Sequence, residues 1–435
     1  MKVCVFGLWH LGSVTSACLA SLGHQVIGLD DDANTVKNLK SGRAPIFEAD
    51  LDELIHRGLS AGNLLFTSNY EEIPNDIDFV WVTIDTPINE ENVADTNYVI
   101  SKTLKLLESI ASGTIVIISS QLPIGSVRKI EDLAKNRFPK KIFNFISSPE
   151  NLRLGDAIKV FLSPDRIIIG HKRNFKSNSL STFFKSISSD LEWMSIESAE
   201  MTKHAINSFL GSSVVFINEL STICELVGAD AKAVERGLKS DCRIGKNAYL
   251  SPGSAFSGGT LARDLNYLKS ISKSCELDAP LINSVLISNE LHKNWIKTKL
   301  ESLFTVLNGI TVLIWGLTYK PQTSSIRGSL SLELCEWLIS KKAKIIAHDP
   351  KADNLPDHIE KSIKRSKDPI TPLTDVDVLL IATPWDDYKT FSHDFLVKKN
   401  SKIIVIDQNG LLRKNNKIIN NHYFSVGYQN INDYS

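Results

Sequence analysis

Two pairs of polar residues stand one helical turn apart in this 435-residue sequence, Lys203 with Asn207 and Thr260 with Asp264. Side chains at i and i+4 share one helix face. Lys203 and Asn207 interrupt an otherwise apolar helical stretch, so a plain solvated face is a poor account of them. A lysine cation stabilises a developing oxyanion, and a placed acid or the water it holds accepts a proton. Glu150, in a polar loop, is a further carboxylate. Near the N-terminus, Gly7-Leu8-Trp9-His10-Leu11-Gly12 follows the apolar run Val3–Phe6 and leads into a helical stretch, Val14 to Leu22. A second apolar run, Gln25–Leu29, ends at Asp30, 23 residues after Gly7. Strand, glycine turn, helix, strand and terminal acid form half of a dinucleotide-binding fold, in which the acid takes the ribose hydroxyls. A carboxylate there favours a cofactor without a 2′-phosphate.

The elements around these residues follow from apolar periodicity. Further buried strands are expected at Phe79–Thr83, Thr114–Ile118, Phe143–Ser147 and Arg166–Ile169, with helical segments between them. Such alternation predicts a parallel sheet covered on both faces. Ala199 to Val227 contains no proline and is apolar on nearly every face, which predicts a long buried helix, either a domain core or a dimer spine. A third unit opens with Thr311–Ile314 and continues with strands at Lys344–Ala347, Val378–Ala382 and Ile403–Ile406. The fold expected is α/β, with two doubly wound Rossmann-like domains, 1–197 and 301–435, joined by a helical middle domain, 198–300. The Asn- and Lys-rich tail after Arg413 is expected to be peripheral.

Composition narrows the function. Lys and Arg together number 49, as do Asp and Glu, so the formal net charge is zero and there is no basic excess for nucleic acid. None of the six cysteines has C-x-x-C spacing, which argues against a metal site and a disulfide framework and suits reduced thiols in the cytoplasm. No apolar run approaches the roughly 18 residues of a membrane helix, and the first apolar run is too short for a signal-peptide core.

The order of short motifs is more specific. It includes Leu22-Gly23-His24-Gln25-Val26-Ile27-Gly28-Leu29-Asp30, Thr86-Pro87, Ser148-Pro149-Glu150-x-Leu152-Arg153 and Pro164-Asp165-Arg166. Ala199-Glu200-Met201-x-Lys203-x-Ala205-x-Asn207, Phe216-Ile217-Asn218-Glu219 and Arg243-Ile244-Gly245 follow. Pro252-Gly253, Gly258-Gly259 with Asp264, Lys320-Pro321 and Ile326-Arg327 complete the series. From Met1 to about Asn409 the chain resembles the UDP-glucose/GDP-mannose dehydrogenase family. The resemblance implies oxidation of a nucleotide sugar at C6 in two steps, each with NAD. A cysteine captures the intermediate aldehyde, and water releases a uronate from the resulting thioester. It also implies NAD in the first α/β domain, the nucleotide in the last, the sugar between them, and a dimer through the central helix.

Residue by residue, the resemblance assigns Lys203, Asn207, Asp264 and Glu150 to catalysis and places Thr260 at the nucleophile's position. The lysine and aspartate would hold the water that takes the hydroxyl proton, with the asparagine orienting it. Gly7, Leu8, Trp9, His10, Leu11, Gly12, Asp30, Thr86 and Arg327 would contact the cofactor. Arg243, Phe256, Gly258 and Lys320 would contact the substrate. No metal is implied.

Four positions depart from the family pattern. Trp9 replaces the middle glycine of G-x-G-x-x-G, where pyrophosphate approaches the backbone. Thr260 replaces the cysteine, and a hydroxyl ionises far less readily than a thiol of pKa about 8.5. Leu154 replaces a second acid, and Gln121 replaces a threonine that positions water. The last three fall on covalent capture and thioester hydrolysis. The expectation is an NAD-dependent oxidoreductase acting on a nucleotide sugar, a UDP-sugar from Arg243-Ile244-Gly245, assembled as a homodimer. A single-oxidation dehydrogenase, an NAD-retaining epimerase and a non-catalytic nucleotide-sugar-binding protein remain alternatives.

Overall fold

The computed structural model describes residues 1–87, 94–150, 152–173, 175, 177–257, 260–415 and 422–428. They form two compact units, Met1–Ile206 and Asn207–Ser435.

The first unit is built on an eight-stranded sheet. Its strands are β1 (Lys2–Phe6), β2 (Gln25–Leu29), β3 (Leu64–Thr67), β4 (Phe79–Val82), β5 (Ile115–Ile118), β6 (Asn144–Ser147), β7 (Ile167–His171) and β8 (Leu191–Ser195). Their order is β3-β2-β1-β4-β5-β6-β7-β8. Successive side chains of a strand point to opposite faces, and both faces here are apolar. Val3, Val5, Phe79 and Trp81 pack with Phe183 and Phe184 on one side. Cys4, Phe6, Val80 and Val82 pack with Leu106 and Leu107 on the other. The expectation of an all-parallel sheet needs one correction: β6 and β7 run antiparallel, paired through Ser147 and Gly170.

In the second unit, the strands β9 (Thr311–Trp315), β10 (Lys344–His348), β11 (Lys364–Arg365), β12 (Val378–Ile381), β13 (Ile404–Asp407) and β14 (Tyr423–Phe424) form a parallel sheet. Its order is β11-β10-β9-β12-β13-β14, the same winding as the first six strands of the other sheet. Part of the tail expected to be peripheral is structural. Tyr423 and Val426 are buried, and the Tyr423 hydroxyl donates to the buried Asp407 carboxylate at 2.7 Å.

The long helix runs from Ile196 to Val227, three residues earlier than expected, and the division between the units falls within it. It is only partly buried. Phe209 is 71% exposed, Phe216 53% and Ile223 54%, an apolar stripe repeating every seven residues. By length and composition alone this helix could cross a membrane, an outcome the apolar-run criterion did not foresee, although 44% of its most apolar window is buried in the protein. Helices Thr260–Ser274, Pro280–Lys293 and Trp295–Leu303 follow it, with a small core of Val215, Phe256, Leu265 and Val285. All six cysteines are free thiols.

The turn after β1 leaves no room for a side chain at Gly7 or Gly12. A Cβ on Gly12 would lie 1.8 Å from the Gly7 carbonyl oxygen. Gly12→Ala must therefore spread the turn, and such overpacking costs about 1–3 kcal/mol. Thermal unfolding should show a midpoint lowered by several degrees; an unchanged midpoint would mean that the turn relaxes freely.

Candidate active site

The cofactor turn is assembled from β1, β2 and the helix His10–Ser21. Gly7 adopts φ +96°, and a Cβ there would come within 2.7 Å of the Ile84 backbone. The Leu8 N–H then donates to Asp30 Oδ2 at 2.6 Å, while Asp32 N–H donates to Oδ1 at 2.9 Å. A carboxylate has about four lone-pair positions, so Asp30 keeps acceptor capacity for ribose hydroxyls. Trp9 occupies the N-cap in an extended conformation and provides no side-chain cap. The helix therefore opens with N–H groups that an anion can satisfy. This is a fit for a dinucleotide. Trp9 is 47% exposed, so it is not packed away into the turn.

His10 does something the sequence did not suggest. Its Nε2 lies 2.8 Å from Glu48 Oε2, and Glu48 also accepts the N–H groups of Gly155 (2.8 Å) and Ala157 (2.9 Å). Burial raises the Glu48 pKa, but the His10 ring and the two N–H groups outweigh it and hold the carboxyl below its usual range. Thr86 is buried and donates its hydroxyl to the Gln121 carbonyl at 2.7 Å.

The second unit repeats this turn with a different outcome. Gly316 has φ +94°, and Leu317 N–H donates to Asp349 Oδ2 at 2.6 Å. Asp349, however, also accepts Thr318 N–H (3.0 Å), the Thr318 hydroxyl (3.2 Å), Trp385 Nε1–H (3.2 Å), and the N–H groups of Lys351 and Ala352 (2.8 Å each). Its acceptor capacity is used up within the protein. Two folds of the same winding thus carry one strand-end acid open to a ribose and one closed to it.

In the first unit, Lys203 and Glu150 come together. The Lys203 ammonium donates to the Glu150 backbone carbonyl at 2.5 Å and lies 3.9 Å from Glu150 Oε1. The Glu150 side chain accepts the Leu152 N–H. Both line a cavity with Ser120, Gln121 and Glu200. The Ser120 hydroxyl is buried and has no partner among the described residues. Burial pushes the Glu200 carboxyl up, against the pull of Val127 and Gly125 N–H groups at 3.0 and 2.7 Å.

The second unit brings Asn207 and Asp264 together. Asn207 Nδ2 donates to Asp264 Oδ2, and both residues are buried. Thr260 opens the helix Thr260–Ser274, as its spacing from Asp264 implied, and is exposed. Gly258 lies outside the described residues, as does Asn151.

The substrate candidates fare unevenly. Phe256 sits in the helical core rather than on a cavity wall. The Arg243 side chain is 85% exposed and pairs with Asp241 at 2.7 Å. Lys320 lies over the Tyr319 ring, 5.5 Å from its centroid, and Arg327 is exposed. A cavity opens at the carboxyl ends of β9, β12 and β13, lined by Tyr319, Thr383 and Gln408 with Ser254, Lys293 and Lys297. It lies at the point where the strand order reverses, which is where such sheets bind ligands. Lys293 and Lys297 carried no motif and were missed. Among the described residues no cluster of His, Cys, Asp and Glu could hold a metal ion.

Residues 1–188 match the NAD-binding domain of the UDP-glucose/GDP-mannose dehydrogenase family, 197–291 its central domain, and 313–414 its UDP-binding domain. A UDP-glucose 6-dehydrogenase of Rickettsia typhi is 30% identical over 434 residues, covering 98% of this chain and 99% of that protein. A UDP-glucose 6-dehydrogenase of Bacillus subtilis is 31% identical over 393 residues, covering 90% and 89%. Among solved structures, a UDP-glucose dehydrogenase from Pyrobaculum islandicum superposes with a TM-score of 0.87 at 27% identity, covering 98% of each chain. With an open strand-end acid in its first unit and all three family domains in order, this chain belongs to the UDP-glucose/GDP-mannose dehydrogenase family and carries that family's NAD-binding domain.

Proposed function

We propose that the chain oxidises the sugar of a nucleotide sugar, a UDP-sugar, with NAD as the hydride acceptor and without a covalent cysteine intermediate. The observation that carries this is the survival of two polar pairs, the half-buried Lys203 with Glu150 and the buried Asn207 with Asp264, while the nucleophile's position holds an exposed threonine. The sequence relation between the pairs is the single helical turn from Lys203 to Asn207. Bound NAD supplies the acceptor for the hydride. The protein's own part is to remove the hydroxyl proton and stabilise the alkoxide. Asp264, oriented by Asn207, holds the water that takes the proton, and the Lys203 cation stabilises the developing negative charge. The adenosine ribose is held by Asp30, and the pyrophosphate by the N–H groups that follow Trp9. Of the other candidates, Gly7, Gly12 and Thr86 shape the cofactor turn, and Lys320, Arg327 and Arg243 are phosphate contacts. The cavity bearing Lys293 and Lys297 receives the nucleotide.

We further propose a homodimer in the cytoplasm. The stripe Phe209, Phe216 and Ile223 supports it, with exposed Leu281, Ile287 and Leu291 on the helix Pro280–Lys293 as additional apolar surface.

The direct test is incubation with NAD and a panel of UDP- and GDP-sugars, with products identified by mass. The expected product has lost one pair of hydrogens and gained no oxygen. A uronate formed at an ordinary rate would overturn the proposal; unchanged mass with tightly retained NAD would point to epimerisation. Lys203→Ala or Asp264→Asn should lower turnover by about 10²–10⁴-fold, and Thr260→Ala far less. Thr260→Cys alone should yield no uronate, because Leu154 and Gln121 remain.

Trp9→Gly should leave the NAD dissociation constant unchanged or lower it, measured by calorimetry. If binding is abolished, the ring belongs to the site and its steric cost is illusory. Light scattering should give the mass of a dimer, and Phe216→Glu should give a monomer; a monomeric unaltered chain would exclude the proposed interface.

A further inference from the structure

Residues 252–256 form neither helix nor strand, yet Pro252, Gly253, Ala255 and Phe256 are buried. Buried backbone groups outside regular structure need partners, and here side chains from three elements supply them. Asn218, on the long helix, accepts Gly253 N–H at 3.1 Å through Oδ1 and donates to the Ser254 carbonyl at 3.2 Å through Nδ2. Asn289, on the helix Pro280–Lys293, treats Phe256 in the same way, accepting its N–H at 2.9 Å and donating to its carbonyl at 3.0 Å. His292, on the same helix, meets the Gly253 carbonyl through Nε2 at 2.8 Å. Asn409, just beyond β13, accepts Ser254 N–H at 3.0 Å and the Ser254 hydroxyl at 3.3 Å.

The packing is close. A Cβ on Gly253 would lie 2.4 Å from Asn409 Oδ1, so any larger residue there would displace the Asn409 amide from its place in the clamp. A primary amide offers one donor and one acceptor side by side, as the backbone of a neighbouring strand does. Asn218 and Asn289 thus hold an irregular segment as a sheet would. Burial lowers the His292 pKa, against the opposing pull of the Gly253 carbonyl. The neutral imidazole, with its proton on Nε2, satisfies that contact.

What the segment presents is the cavity wall. Ser254 and Ser257 line the cavity at the carboxyl ends of β9, β12 and β13, and so does Gln408, the neighbour of Asn409. Thr260 opens the next helix, which carries Asp264. We propose that Asn218, Asn289, His292 and Asn409 are positioning residues that hold the 252–257 segment in the shape that receives the nucleotide sugar. This rests on the cavity being the nucleotide site, as proposed above. A wall ordered before binding spares the ligand the cost of ordering it, so loss of the clamp shows first in affinity for the nucleotide sugar.

The test uses the full chain with Asn289→Leu, which keeps the volume and removes both bonds, and with His292→Leu and His292→Gln, the last of which retains a donor. UDP-glucose and NAD binding are measured separately by calorimetry, and hydrogen exchange is followed across 252–257. Asn289→Leu and His292→Leu should weaken UDP-glucose binding by about tenfold and speed exchange in the segment, with NAD affinity unchanged. His292→Gln should restore most of the loss. Equal weakening of both ligands, or faster exchange with UDP-glucose affinity intact, would reduce the clamp to an architectural contact and overturn the proposal. Should Asn289→Leu fail to fold, the His292 pair decides alone. If the unaltered chain binds neither UDP nor UDP-glucose, the nucleotide assignment itself falls, and the clamp's proposed role with it. Binding by the unaltered chain with the variants unaffected overturns the clamp only.

Discussion

One hydrogen bond recurs at the head of both α/β folds, and each depends on it. The residue after the first strand's glycine donates its N–H to the carboxylate ending the second strand: Leu8 to Asp30 and Leu317 to Asp349, each at 2.6 Å. The bond requires positive φ at Gly7 and Gly316 and a backbone approach that a Cβ would block. It pins the turn over the point where the strand order reverses, which is where sheets of this kind bind ligands. The remaining capacity of the carboxylate then separates the halves. Asp30 has room for a ribose, whereas Asp349 is filled by side chains and N–H groups of its own domain.

The long helix is the second organising element, and its chemistry is unusual for its length. Along its apolar sequence it carries Lys203 against Glu150 in the first unit, then Asn207 against Asp264 and Asn218 against the 253–254 backbone in the second. Glu225, near its end, accepts Trp295 Nε1–H at 3.0 Å and Gly427 N–H at 2.9 Å. Buried polar groups are costly unless paired, and among the described residues each of these is paired. Apolar residues left exposed on the same helix give it a surface as well as a core.

The strands legible in the sequence and those that were not divide along a physical line. Among the described residues all ten interior strands are readable as apolar runs, because an interior strand of a sheet covered on both sides is buried on both faces and needs no alternation. The four that escaped notice, β3, β8, β11 and β14, are the four sheet edges. An edge strand is defined by its single partner. β8 exposes Glu192 and Trp193, β11 is two residues long, and β14 is a short pair in a polar tail.

The candidate site divides in a similar way. Residue type and spacing by themselves determined the glycine turn, the strand-end acid Asp30, the placement of Lys203 and Asn207 one turn apart on a helix, and that of Thr260 and Asp264 on the next one. These are local properties of a helix or turn, set by neighbours in the chain. Only the tertiary structure decided that Phe256 is core, that Asp349 is saturated, and that Glu48 joins His10 to the backbone at Gly155 and Ala157. Each of these depends on which distant donor or apolar surface arrives at the side chain, and hydrogen-bond capacity is settled only once every such partner is in place.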